Sequence, residues 1–375
     1  MIQLLHTPEG VRDIYGEESR VKELLRASIT DCLHRYGFQD IQTPSFEFFD
    51  IFNKERGTVP SKDMYKFFDR DGNTLVLRPD MTPSIARCAA KYFRDETRPL
   101  RLCYCGNTYI NNNSYQGRLK ETTQIGAELF ADASVLADAD LIALTADCLQ
   151  AAGLTEFQIE IGNADFFKGL VEETNLTLEE QEELRVLIKN KNIFGVHDLL
   201  SKTAVPEELR ELFAKLPELF GSIETLRAVK SQTRNPRALQ ALERLERLDS
   251  LLHAYGCENY VSFDLGMLSK YNYYTGIIFR AITYGTGEAV ASGGRYNRLA
   301  GQFGFDAPAI GMSITLDYLM IALERQNRLP EAEAPVTYVA YTPETMEEAA
   351  QKAAELRKNG VSAALFERTQ TGRNE

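Results

Sequence analysis

The chain has 375 residues, of which 44% are hydrophobic, 26% charged and 10% aromatic; this is an ordinary globular composition with length for two or three domains. No apolar run approaches the roughly 18 residues of a membrane span, and the N-terminal Met1-Ile2-Gln3-Leu4-Leu5-His6 lacks the basic stretch and apolar core of a signal peptide, so a cytoplasmic protein without a membrane partner is expected. A net charge of −12 and a pI of about 5.1 count against a nucleic-acid partner such as tRNA, because neutralising phosphates calls for a basic surface.

In chain order, Thr7-Pro8-Glu9-Gly10-Val11-Arg12-Asp13 reads as a turn, and Val21, Leu24, Leu25, Ile29 and Leu33 recur at helical spacing across 18–36, with Gly37 as a stop. A short strand is expected over 38–41. Tyr65–Phe68 and Thr74–Leu77 flank Asp69-Arg70-Asp71-Gly72-Asn73, a hairpin signature in which Asp-Gly supplies the positive φ. A helix starts near Thr82-Pro83. Strands over 101–109 and 121–130, a helix over 134–152 and a strand over 157–161 follow.

From about Ala164 to Tyr255 nearly everything reads helical, with Thr177 as one cap. Strand texture returns at 261–265, 275–284 and 289–291, and a helix covers 314–324. Residues 327–335 read as a linker, after which a strand (336–341), a helix (346–359) and a second strand (362–367) form a β-α-β segment. That segment is small for a unit standing alone; it reads as either a vestigial or a shortened domain. The expected division is a core over 1–163 and 256–328, a helical insertion over 164–255 and a partial domain over 336–375.

Three constellations offer chemistry. Asp80 and Thr82 sit where a strand hands over to a helix; they suit either a helix cap or recognition of a ligand ammonium and its surroundings. Gln124 and Glu128 lie four apart on a strand and face one way; buried, they need partners, from a polar ligand or from a structural network. Tyr271-Asn272-Tyr273-Tyr274-Thr275-Gly276 precedes Ser292-Gly293-Gly294-Arg295-Tyr296, which reads as flexible backbone with an arginine. The six cysteines (Cys32, Cys88, Cys103, Cys105, Cys148, Cys257) and four histidines (His6, His34, His197, His253) are scattered. Ordinary buried thiols, and no metal or other cofactor, are expected.

In this order, these segments resemble the histidyl-tRNA synthetase family over about residues 5–325. Thr7–Asp13 is similar to its N-terminal motif and Leu77-Arg78-Pro79-Asp80-Met81-Thr82 to the end of its hairpin motif. Cys105–Arg118 with Gln124–Glu128 is similar to the second class II motif. Asn272–Gly276 resembles the histidine-specific tyrosine motif, and Gly293–Tyr296 through Ala309-Ile310-Gly311 the approach to the third. The resemblance implies an α+β fold, a class II aminoacyl-tRNA synthetase-like antiparallel sheet flanked by helices, with the helical insertion and the short C-terminal β-α-β segment. It also implies a histidine pocket. Asp80 and Thr82 would meet the amino group, with Gln124 nearby; Glu128 and Tyr273 would hold the imidazole nitrogens. Tyr274 would line the pocket, and Arg118 would face a carboxylate or a phosphate.

The departures concern the handling of ATP. By the resemblance, a second-motif arginine falls on Ile110 and an acidic–basic pair on Asn112 and Asn113. A catalytic arginine falls on Ser269, the aspartate after it on Asn272, and a third-motif arginine on Tyr318. Arginine grips phosphate through a fixed bidentate fork, and losing one preorganised donor costs on the order of 100- to 1000-fold in rate; nearby Lys270 or Arg295 could compensate in part. The pattern, including the Leu-Arg-Pro-Asp-Met-Thr-Pro form of the hairpin motif, is similar to the family's non-catalytic branch, the regulatory subunits of ATP phosphoribosyltransferase. That resemblance implies three further things: the short-form catalytic subunit as partner, L-histidine as effector of feedback inhibition in histidine biosynthesis, and self-association as a dimer. The alternatives are an active histidyl-tRNA synthetase or a histidine-binding module for another enzyme.

Overall fold

The computed structural model describes residues 5–52, 59–112, 118–268, 273–331 and 336–368. The chain forms two units, 1–330 and 331–375. In chain order the first unit contains α1 (Gly16–Arg35), β1 (Gln39–Asp40), β2 (Phe46–Phe48), β3 (Lys66–Phe68), β4 (Thr74–Leu77), α2 (Thr82–Tyr92), β5 (Leu100–Tyr109), β6 (Glu121–Phe130), α3 (Val135–Ala151) and β7 (Gln158–Asn163). It continues with α4 (Ala164–Glu172), α5 (Leu178–Lys189), α6 (Ile193–Ser201), α7 (Glu207–Lys215), β8 (Phe220–Gly221), α8 (Ile223–Lys230) and α9 (Pro236–Ala254). Last come β9 (Val261–Asp264), β10 (Ile277–Ile282), β11 (Ala291–Arg295), β12 (Ala309–Thr315) and α10 (Leu316–Arg325).

Nine strands form one sheet in the order β1-β5-β6-β12-β11-β10-β7-β9-β8. Only β1–β5 and β7–β9 pair in parallel, so the sheet is mainly antiparallel, as expected. The hairpin of β3 and β4 belongs to a separate three-stranded sheet, β2-β4-β3, and its turn is held by Asp69, whose carboxylate accepts from the backbone N–H groups of Asp71 and Asn73. Helix α1 buries Val21, Leu25, Ile29, Cys32 and Leu33. Leu24, counted in the apolar stripe from sequence, is instead exposed; one residue is about 100° around a helix, enough to leave the buried face. Thr177 caps α5, in a reciprocal capping box with Glu180.

Between Asn163 and Tyr255 the chain folds as six helices and one short strand. Strand β8 pairs with β9 at the edge of the large sheet, so this helical region also contributes to the sheet.

The sequence reading errs at the glycine-rich segment. A strand was expected over 289–291 with flexible backbone after it. Instead β11 begins at Ala291, runs through Gly293-Gly294-Arg295, and lies between β10 and β12. Glycine disfavours strands because it packs nothing and loses the most entropy. Here the missing side chains serve neighbours: a Cβ on Gly293 would come within 2.4 Å of the Phe279 ring. Two distant strands pay for that glycine run, and no local pattern could show them.

The second unit contains β13 (Thr337–Tyr341), α11 (Met346–Lys358) and β14 (Ala363–Glu367). The two strands pair in parallel, and the helix covers them through Val339, Ala349 and Ala353.

Candidate functional site

Strand register builds the site. One row across the large sheet runs Leu102, Glu128, Gly311, Gly294, Ile278, Gly162. Directly opposed residues present their side chains on one face, so three glycines in this row leave a trough beside the Glu128 carboxylate. The next row carries Gly126, Ser313, Ser292 and Arg280, again mostly small. The result is a cavity of about 670 Å³, a size typical of small-ligand sites.

Six of the residues singled out from sequence line this cavity together: Asp80, Thr82, Gln124, Glu128, Tyr273 and Tyr274. Asp80 and Thr82 arrive from the β4–α2 junction. Arg78 anchors that junction by donating to the carbonyls of Thr43 at 2.8 Å, Pro44 at 3.1 Å and Asn107 at 2.7 Å. At this junction Asp80 accepts a long 3.4 Å contact from the Thr82 N–H, and the Thr82 hydroxyl donates to Glu128 at 2.7 Å; the N-cap residue of α2, Met81, makes no side-chain cap hydrogen bond.

Glu128 is 1% exposed. Its second oxygen accepts from the Tyr296 hydroxyl. Burial pushes its carboxyl up to about 8, partly opposed by the hydrogen bonds from Tyr296 and Thr82, with the nearby Asp80 charge adding to the rise. Gln124 sits on the same strand face, and its buried Oε1 has no hydrogen-bond partner among the described residues. An orphaned acceptor of this kind in a cavity wall is a position for a ligand donor.

Two lining residues escaped the sequence reading as site members. Tyr104 and Tyr296 are buried against the cavity, and burial raises both phenols well above their usual range. Tyr104 stands opposite Gly126, on the Gln124–Glu128 face. Pairing β5 with β6 in register would have found it. Tyr273 meets Tyr296 edge-on, with ring centroids 5.7 Å apart, and stands 4.7 Å from Tyr274.

Arg118 stands apart. It is half exposed and pairs with Glu288 at 3.2 Å, while Glu288 itself lines the cavity. Tyr318 also lines the cavity, its phenol raised mainly by burial. Ile110 hydrogen-bonds through its N–H to the Lys120 carbonyl at 2.9 Å and is not among the described lining residues. Ser269, Lys270, Asn272 and Asn113 lie outside the described residues. Arg295 must be corrected as a substitute phosphate ligand. Alternation along β11 sends it to the opposite face of the sheet from Gly294, where it is 2% exposed, donates to Asp138 at 2.7 Å and to the Asp132 carbonyl at 2.8 Å. Asp138 is also held by Arg244. The lining arginine, Arg280, is engaged by Glu160 at 2.6 Å.

A family model described as histidyl-tRNA synthetase matches residues 10–319. An ATP phosphoribosyltransferase regulatory subunit of Acetivibrio thermocellus is 42% identical over 361 residues, covering 96% of this chain and 86% of the relative. The protein of the same name from Ruminiclostridium cellulolyticum is 39% identical over 362 residues, with 96% and 86% covered. Among solved structures, an ATP phosphoribosyltransferase regulatory subunit/histidyl-tRNA synthetase from Bacillus halodurans aligns with a TM-score of 0.89 at 29% identity, covering 100% of this chain and 95% of that one. A histidyl-tRNA synthetase from Nostoc shares the fold, with a TM-score of 0.80 at 22% identity over 98% of this chain and 87% of that one. The chain belongs to the family of ATP phosphoribosyltransferase regulatory subunits, built on the histidyl-tRNA synthetase fold.

Proposed function

We propose that this chain is a non-catalytic regulatory subunit of ATP phosphoribosyltransferase: required for the activity of the short catalytic subunit at the first step of histidine biosynthesis, and the sensor through which histidine inhibits that step. The observation that carries this reading is Glu128. A carboxyl group buried at the base of a roomy cavity, held by Thr82 and Tyr296 and flanked by an unsatisfied Gln124 oxygen, is suited to one small ligand carrying several hydrogen-bonding nitrogens. Histidine is such a ligand. Asp80 and Thr82 would take its ammonium, Glu128 and Tyr273 its imidazole; Gln124 would accept from either, and Tyr274 would close one wall. Arg118, at the rim beside Glu288, would attract the carboxylate at longer range.

The same cavity is poorly equipped for adenylation. Ile110, Ser269 and Tyr318 stand where the resemblance puts synthetase arginines. Arg295 is committed behind the sheet to Asp138, and Arg280 to Glu160. Among the described lining residues no uncommitted arginine is left to give a triphosphate the bidentate grip that neutralises its developing charge. The mechanism is therefore allosteric. Histidine inhibits by binding more tightly to the inhibited assembly than to the active one, and by linkage the inhibited assembly binds histidine more tightly.

The test is reconstitution with a short-form catalytic subunit. The chain should raise its activity, histidine should then lower it, and Glu128→Ala should keep the activation and lose the inhibition. No activation sinks the regulatory reading; equal inhibition of wild type and Glu128→Ala sinks the pocket assignment. Histidine-dependent pyrophosphate–ATP exchange by the chain alone would establish the synthetase instead.

A further inference from the structure

The edge of the large sheet farthest from β8 gathers three side chains of different chemistry. Asp40 on β1 lies directly opposite Cys103 on β5 in the parallel pair, and the Cys103 thiol donates to Asp40 Oδ1 at 3.5 Å. His34, in the last turn of α1, places Nε2 3.0 Å from the other carboxylate oxygen of Asp40. One ligand atom from each residue lies within 4.8 Å of the other two. Zinc bonds of about 2.3 Å to sulfur and about 2.0–2.2 Å to nitrogen or oxygen put tetrahedral ligand atoms roughly 3.3–3.7 Å apart. The three groups are thus close to that spacing before any metal enters. They stand on elements fixed by other bonds: the Ile41 N–H donates to the Cys103 carbonyl at 2.8 Å, and the Gly37 N–H to the His34 carbonyl at 2.9 Å. Arg101, two residues from Cys103 and on the same face of β5, is engaged by Asp140 at 2.8 Å.

We propose that His34, Asp40 and Cys103 form a site for a borderline-soft divalent metal ion, zinc above all, with water as a fourth ligand. An imidazole, a carboxylate and a thiolate are a donor set that suits zinc and disfavours magnesium or calcium, which take oxygen ligands. Binding replaces the thiol proton with the metal: the S–H bond breaks, an S–metal bond forms and one proton passes to solvent. Thiolate and carboxylate together then balance the charge of the ion. Cys103 is buried while His34 and Asp40 are exposed, so the ion would enter from the solvent side and close down on the sulfur. The bound ion would pin the end of α1 to the edge strand β1, on the opposite face of β5 from Tyr104 and the Glu128 cavity, because successive side chains of a strand alternate between faces.

The experiment is cobalt(II) titration of the full, reduced chain, followed in the near-ultraviolet thiolate-to-cobalt charge-transfer band. One equivalent should bind, zinc should displace it, and Cys105→Ser should behave as wild type. Cys103→Ser should abolish the band, and His34→Gln, at an exposed position that folding tolerates, should weaken binding at least about tenfold. No band in the wild type, or undiminished binding in either variant, overturns the site and leaves the three groups a hydrogen-bonded chain only.

Discussion

Gly311 stands opposite Glu128 in the β12–β6 ladder, and a methyl group on its Cα would lie 1.7 Å from Glu128 Oε2. No side chain fits between that strand and the carboxylate. Gly311→Ala should therefore force Glu128 off Tyr296 and Thr82. The expected result is a loss of roughly 1–3 kcal/mol in stability, read by denaturant unfolding, together with at least about tenfold weaker histidine binding by calorimetry. Unchanged affinity in a folded Gly311→Ala protein would show that Glu128 does not meet the ligand.

Glu128 also makes a pH signature. Its carboxyl, ordinarily near 4.5, is held up to about 8 in the folded protein. Between those values the folded state keeps a proton that the unfolded chain has released. The contribution to stability is therefore full below the lower value and is lost as pH rises through the higher one. Glu128→Gln, which cannot ionise, should remove that decline. Unfolding curves near about pH 5 and about pH 8.5 should show the wild type losing more stability than the variant, by on the order of a few kcal/mol. Parallel curves would place the carboxyl in the ordinary range.

The Arg295–Asp138 pair separates scaffold from site. Asp138 is 0% exposed and Arg295 nearly so. Arg295→Met removes the better-buried partner and should cost about 3–5 kcal/mol, while Arg244→Met, whose guanidinium is partly exposed, should cost less. Neither should alter histidine affinity in the folded protein. A loss of affinity in Arg295→Met without loss of stability would return that arginine to the ligand site.

Gln124 gives the opposite pattern. Its buried Oε1 has no partner among the described residues, so Gln124→Leu should leave the unliganded protein as stable or more so. Histidine binding should weaken about ten- to a hundredfold if that oxygen accepts from the ligand ammonium or imidazole. Thermal unfolding with and without histidine measures both effects at once.

Much of this was legible in the residues alone. Helical periodicity placed α1, the helical texture placed α3 and the region holding α9, the Asp-Gly turn placed β3 and β4, and the alternation of Gln124 and Glu128 put both on one strand face. Those signals are local: each element shows its own period within a few turns or pleats. The motif segments also brought six of the cavity residues forward. What stayed hidden depends on register and on neighbours far along the chain. Gly293-Gly294-Arg295 looked like a flexible turn because glycine carries no strand signal; only β10 and β12 on either side make it a strand, and only the alternation within that strand decides that Arg295 faces Asp138 rather than the cavity. Tyr104 joins the site because β5 pairs with β6 in a register that sets it over Gly126. His34, Asp40 and Cys103 meet because β1 lies against β5. A shift of one residue in any of these pairings would turn every side chain of the strand to the other face. The sequence by itself thus determined the strongly periodic elements and which side chains could do chemistry, whereas the packed sheet decided the glycine-rich strand β11 and which side chains share a face, since those rest on contacts between strands that no local pattern encodes.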